Sequence, residues 1–207
     1  MSLKSSLNGR IVIALAVAVF LSSVARAHIP IPPKEPSEVG RRQVKTAVPD
    51  FKLTDQDGKP FRFAAARGKF VLVTFIFTTC PDVCPLLTAK FAAIQRALKE
   101  NPQTDYWLLS ITTDPERDTA AALKGYAGRF NADLKTWSFL TGSRQELAKI
   151  WKAFGVNVTK TASGDVRHTT FTTLIDRQGN RRVDYYGDKW QDNEVLKDLK
   201  WLRSQKP

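Results

Sequence analysis

The chain has 207 residues, 32 Lys and Arg against 20 Asp and Glu, and a formal net charge of +12. That length suits one domain with terminal segments, and the absence of an internal repeat or low-complexity tract excludes a repeat array. A basic balance admits nucleic acid, an anionic membrane surface or an acidic partner. Here the Lys and Arg residues are scattered, as on an ordinary solvated surface, with membrane proximity or an acidic docking partner as the secondary reading.

The N-terminus reads as an export signal. Lys4 and Arg10 form a basic start, Ile11 to Leu21 an apolar run too short for a full span, and Ala25-Arg26-Ala27 a small-x-small cleavage pattern. Residues 1–27 are therefore a signal peptide with the mature chain starting at His28, or, if Leu21 to Ala25 extends the run, an uncleaved membrane anchor. Either places the rest in an oxidising compartment, a bacterial periplasm, and excludes nucleic acid as the partner. Residues 28–48 begin His28-Ile29-Pro30-Ile31-Pro32-Pro33-Lys34-Glu35-Pro36 and read as an extended Pro-rich tether, leaving 49–206 as the domain.

Within it, Asp50 to Thr54, the turn Asp57-Gly58 and Phe61 to Phe63 predict a hairpin. Phe70 to Phe77 is a buried strand, followed after a cysteine segment by a helix from about Pro85 to Glu100 with Leu86, Phe91, Ile94 and Leu98 on one stripe, ended by Asn101-Pro102. Tyr106 to Thr112 is a second strand. Asp114-Pro115-Glu116-Arg117-Asp118-Thr119 is a loop whose Asp118 or Thr119 caps a helix over Ala120 to Phe130. Trp137 to Leu140 is a short strand, and Ser143 with Glu146 forms a capping box for a helix to about Phe154. Thr169 to Asp176, the turn Gln178-Gly179-Asn180 and Arg182 to Tyr186 make a second hairpin, and Trp190 to Ser204 a last helix. Alternating strands and helices with flanking hairpins predict an α/β fold, a mixed central sheet with helices on both faces. Phe75, Phe77, Trp107, Trp137 and Trp151 are core candidates.

The chemistry concentrates in Phe77-Thr78-Thr79-Cys80-Pro81-Asp82-Val83-Cys84-Pro85, which holds both cysteines of the chain. Two thiols at a strand-to-helix junction suggest a thioredoxin-like fold and can form a disulfide, exchange one, or hold a soft metal ion. Starting the helix at Pro85, with Cys84 as N-cap, avoids a clash of the Pro85 ring with the Pro81 carbonyl. The helix N-terminus then favours thiolate at Cys84 first and at Cys80, on the loop above, as the alternative. Three residues separate the cysteines, where ordinary thioredoxin-type oxidoreductases have two, which leaves room for an ion. A soft Cu(I) ion accepts two sulfurs and one imidazole, and Cu(II) also suits sulfur-plus-nitrogen ligation. Structural zinc wants four ligands, and the chain offers at most Cys80, Cys84, His168 and His28. The blander reading of the cysteines is a structural disulfide, of His168 an ordinary surface or core histidine, and of Asp82 a turn acceptor. His28 with a free amino terminus forms a Cu(II)-binding pair, against the blander reading of a tether residue.

This cysteine segment resembles the signature of the Sco (SenC) family of copper proteins. Thr112-Thr113-Asp114-Pro115-Glu116-Arg117-Asp118-Thr119 is similar to the family's Asp-Pro-x-Arg-Asp-Thr segment, His168-Thr169 to its His-Ser/Thr, and Pro49-Asp50-Phe51 through Asp57-Gly58 to its opening. The resemblance implies a thioredoxin-like domain that binds copper through Cys80, Cys84 and His168. It also implies delivery of copper to, or reduction of the cysteines of, the binuclear copper centre of cytochrome c oxidase subunit II. One departure stands out: Arg167 replaces the Asp that commonly precedes the histidine, which sets a positive charge beside the site and alters docking or metal affinity. No proline lies between Pro115 and Pro207, so the cis-proline that ordinary thioredoxin-like oxidoreductases set against their cysteines is absent, which favours metal. The expectation is a metallochaperone carrying Cu(I), with Cu(II) as the alternative state, for that subunit or another copper or thiol acceptor. A thiol-disulfide reductase using Cys80 and Cys84 is the runner-up, and a peroxidase or redox sensor the third class.

Overall fold

The computed structural model of the protein describes residues 40–100 and 105–205. The readings of the leader, of His28 and of the Asn101-Pro102 helix stop lie outside the described residues. Ten strands and four helices follow in chain order: β1 (Gly40–Ala47), β2 (Lys52–Thr54), β3 (Pro60–Arg62), β4 (Phe70–Ile76), α1 (Val83–Lys99), β5 (Tyr106–Thr112), α2 (Ala120–Arg129), β6 (Trp137–Leu140), α3 (Arg144–Phe154), β7 (Val158–Lys160), β8 (Val166–His168), β9 (Phe171–Ile175), β10 (Asn180–Tyr186) and α4 (Asp192–Ser204).

Six strands form one mixed sheet in the order β1-β10-β9-β4-β5-β6. β4, β5 and β6 run parallel, while β9, β10 and β1 add antiparallel pairs. Every residue of β4 is buried, as a central strand covered on both faces requires. Its period-2 alternation divides the core: Phe70, Leu72 and Ile76 join the side chains of α1, α2 and α4, while Val71, Val73 and Phe75 join those of α3 and of the β2–β3 hairpin. The exit of β4 is thereby held rigidly from both sides, and the cysteine segment begins there.

Ser143 accepts from the Glu146 amide and Glu146 returns a bond to the Ser143 amide, so the predicted capping box is present. Thr119 caps α2, accepting from the Ala122 amide. Four readings change. Residues 40–47, assigned from sequence to the tether, are the edge strand β1; nearly all its side chains are exposed, so it carries no apolar alternation to detect. Backbone pairing to β10 holds it, together with Arg41, which grips Asp198 through two bonds of 2.7 and 2.6 Å. Phe63 does not continue a strand but opens a 3-10 turn over Phe63–Ala66, stacked on Phe51 at 5.0 Å. Leu87, not Leu86, completes the buried stripe of α1: Leu87, Phe91, Ile94 and Leu98 keep the 4-3-4 spacing of one helical face, whereas Leu86 is 51% exposed. Finally, Val166–His168 pairs with Val158–Lys160 in a separate two-stranded hairpin, too short for sequence patterning to reveal.

Candidate functional site

The site lies where β4 ends. Helix α1 starts at Val83, two residues earlier than the sequence suggests, with Asp82 as a cap that makes no side-chain bond. Pro85 is tolerated because the first-turn amides of a helix have no intrahelical acceptor, and the Pro81 carbonyl lies outside the helix. Cys84 therefore sits inside the first turn rather than at its cap. It is 1% exposed, packed with Phe77, Leu87 and Ile76 in one cluster. Cys80 stays half-buried on the loop, and its sulfur accepts from the Cys84 amide at 3.4 Å.

Of the two thiols, this placement makes Cys80, the sequence's alternative, the acidic one. The Cys80 thiol is lowered to about 6, chiefly because the Cys84 thiol donates to it, with backbone N–H groups of Asp82 and Cys84 helping and burial opposing. Cys84 is pushed up, by that same donation first and by burial next. Cys80 is thus the thiolate, and Cys84 the protonated, shielded partner. Both cysteines are free.

His168 ends β8 and reaches the pair from across the domain. Its Nε2 stands 3.9 Å from the Cys84 sulfur, and its Nδ1 lies 2.9 Å from the Thr169 carbonyl. A carbonyl only accepts, so Nδ1 carries the proton and the Nε2 lone pair faces the sulfur. Burial lowers the His168 pKa, which keeps that lone pair free at neutral pH, and Phe77 meets the ring edge-on at 5.8 Å. An ion bonded to sulfur at about 2.3 Å and to imidazole at about 2.0 Å, the zinc values, holds the two donors roughly 3.5 to 4.3 Å apart. The observed pair lies within that window. Among the described residues no three His, Cys, Asp or Glu groups already close around one point. Cys84 and His168 form the close pair, and Cys80 lies beside Cys84 on the loop, its sulfur bonded to the Cys84 amide.

The Asp114–Thr119 loop does more than cap α2. Asp118 is fully buried and accepts from the Thr78 amide at 3.1 Å and from the hydroxyls of Thr78 and Thr112 at 2.5 Å each. It pins the entry to the cysteine loop, and burial raises its pKa despite those bonds. Sequence reasoning saw this segment but read it only as loop and cap, since the donors lie 40 and 6 residues away.

Arg167 does not sit over the thiols. Successive strand residues face opposite ways, so Val166 and His168 turn inward and Arg167 outward, where it is exposed. The charge that the sequence set beside the site belongs to the outer face of the β7–β8 hairpin.

The SCO1/SenC family model matches residues 39–204. The chain belongs to the SCO1/SenC family. A SCO1/SenC family lipoprotein from Bacillus anthracis aligns with 33% identity over 79% of this chain and 98% of its own, with a TM-score of 0.73. BsSco, described as a Sco-family member with a disulfide switch, in a family of cytochrome c oxidase assembly proteins, aligns at 30% identity over 80% of this chain and 98% of its own, TM-score 0.70. Copper-bound ScoI from Bradyrhizobium japonicum aligns at 34% identity over 76% and 99%, TM-score 0.65. With these neighbours the mixed α/β sheet is the thioredoxin-like fold of the Sco proteins. Among the described residues no helix is long and apolar enough to cross a membrane.

Proposed function

We propose that this Sco-family protein binds one copper ion through Cys80, Cys84 and His168 and hands it to the binuclear copper centre of cytochrome c oxidase subunit II or a similar acceptor. The carrying observation is the His168 Nε2 lone pair directed at the Cys84 sulfur from a separate hairpin, 84 residues away in the chain. A thiolate at Cys80, a second sulfur and a neutral imidazole are the soft and borderline donors that suit Cu(I), and Cu(II) accepts the same set. Binding at Cys84 requires loss of its proton, which the positive ion itself drives. The half-exposed Cys80 is the donor an incoming acceptor thiolate can displace first, so release proceeds by stepwise ligand exchange. The copper-bound relative supports this reading. Export by the N-terminal segment, with the domain free in the periplasm or tethered at the membrane, is part of the proposal.

A second reading rests on the acidity of Cys80. As an accessible thiolate it can attack a disulfide of the acceptor, expelling one acceptor sulfur as a thiolate; Cys84 then attacks the mixed disulfide. The products are a Cys80–Cys84 disulfide and two acceptor thiols, with the two electrons supplied by this protein. His168 separates the two activities. Anaerobic Cu(I) titration of the reduced protein against a competing chelator, with Cys80→Ser, Cys84→Ser and His168→Ala, should give one ion per chain and weaker binding in all three variants. Affinity indifferent to His168, with disulfide reduction intact, moves the assignment to the reductase.

A further inference from the structure

We infer that Arg117 is a positioning residue that sets His168 against the two cysteines. This deepens the copper-site reading above and rests on it. The cysteine loop leaves β4, whereas His168 ends β8, whose strand partner is β7; β9, which begins three residues later and pairs with β4, anchors the base of that hairpin and leaves its far end to other contacts. Two three-residue strands alone are marginal in water, so beyond the burial of Val158 and Val166 the end of the hairpin away from β9 depends on what it is fastened to.

The Asp114–Thr119 loop fastens both. On one side Asp118 holds Thr78, two residues before Cys80. On the other, the Arg117 guanidinium lies 3.1 Å from the buried Asp114 carboxylate and donates to the Gly164 carbonyl at the tip of the β7–β8 hairpin. Gly164 holds φ at +85°, and a β-carbon there would lie 3.6 Å from the Arg117 guanidinium. Glu116 adds an ion pair to Lys160 of β7. Three consecutive side chains, Glu116, Arg117 and Asp118, thus tie the hairpin and the cysteine loop to one short segment. Asp114 fixes the guanidinium, the guanidinium fixes the hairpin tip, and β8 carries that placement along to His168. Lysine keeps the charge for the Asp114 ion pair but lacks the planar guanidinium that also reaches the Gly164 carbonyl.

The test uses Arg117→Ala, Arg117→Lys, His168→Ala and the Arg117→Ala/His168→Ala double variant. The expected result is roughly tenfold weaker Cu(I) binding in Arg117→Ala, the lower end for residues that orient a ligand. Arg117→Lys falls between it and the parent, and the sulfur-to-copper charge-transfer band of Cu(II)-loaded Arg117→Ala shifts. Because Arg117 acts through His168, the double variant binds no more weakly than His168→Ala alone. Parental affinity in Arg117→Ala while His168→Ala is weakened, or losses that add fully in the double variant, overturns the inference. If His168→Ala itself binds normally, the ligand assignment fails instead. The imidazole NMR signals of the metal-free protein then decide on Arg117: they move in Arg117→Ala if the strap sets the ring and stay in place if it does not. A urea transition with an unchanged slope confirms that each variant compared is folded.

Discussion

Replacing Asp118 probes the link between the cysteine loop and the β5 exit. Asp118→Ala removes the acceptor for three donors: the Thr78 amide, the Thr78 hydroxyl and the Thr112 hydroxyl. Hydrogen bonds to a charged group contribute about 1.5–3 kcal/mol each, but deleting the carboxylate also removes the cost of burying it. The two hydroxyls can rotate to other acceptors, whereas the Thr78 amide cannot. What remains is one orphaned backbone donor and a small void, together about 2 kcal/mol. For a domain of this size that is a fall in Tm of roughly 4–8 °C. Asp118→Asn keeps an oxygen for the Thr78 amide and fills the space, so its loss is about 1 kcal/mol or less. Urea unfolding of the reduced proteins at pH 7.5 measures both, and amide exchange at Thr78 should quicken in the alanine variant alone. A loss below about 0.5 kcal/mol in Asp118→Ala, or equal losses in the two variants, would refute the orphaned-amide reasoning.

Alkylation of Cys80 should rise with pH around a midpoint near 6 and level off by pH 8, since only the thiolate reacts; a midpoint near the ordinary thiol value of about 8.5 would contradict the assignment of the thiolate. Cys84 should stay unmodified until the protein unfolds, as mass mapping of the labelled thiols would report. Burial that depresses the His168 pKa makes the unfolded chain the better proton acceptor, so the His168 contribution to stability should be lost as pH falls from about 6.5 towards the folded value, and be absent from the pH profile of His168→Ala. Arg41→Ala breaks the two-bond grip on Asp198, which keeps the Tyr185 hydroxyl at 2.6 Å; a loss of about 1–2 kcal/mol is expected, with β1 amides exchanging faster than those of β4.

The interior of the domain was legible because its signals are local. The apolar runs of β4 and β5 and the Ser143–Glu146 box each declare themselves within a few residues, and each stands where the sequence put it. The parts that escaped depend on partners distant in the chain. β1 has an exposed polar strand sequence and exists through pairing with β10. The β7–β8 hairpin has three-residue strands with no periodicity to read. Leu86 was misplaced because it is five residues from Phe91, off the helical repeat that Leu87 keeps. The candidate site divides in the same way. Cys80, Cys84 and His168 could be named from residue chemistry and the family resemblance, and the fold brings Cys84 and His168 together. Which thiol is acidic could not be read, because it turns on a helix that starts at Val83 rather than Pro85, burying one sulfur and directing amides at the other. The outward direction of Arg167 required the register of β8 against β7.

X-ray absorption at the copper edge of the Cu(I)-loaded protein tests the central claim most directly, since it counts the donors around the ion. The account predicts two sulfurs and one imidazole nitrogen, with the nitrogen lost in His168→Ala. Two sulfurs alone in the parent protein, and a spectrum unchanged by His168→Ala, would contradict it.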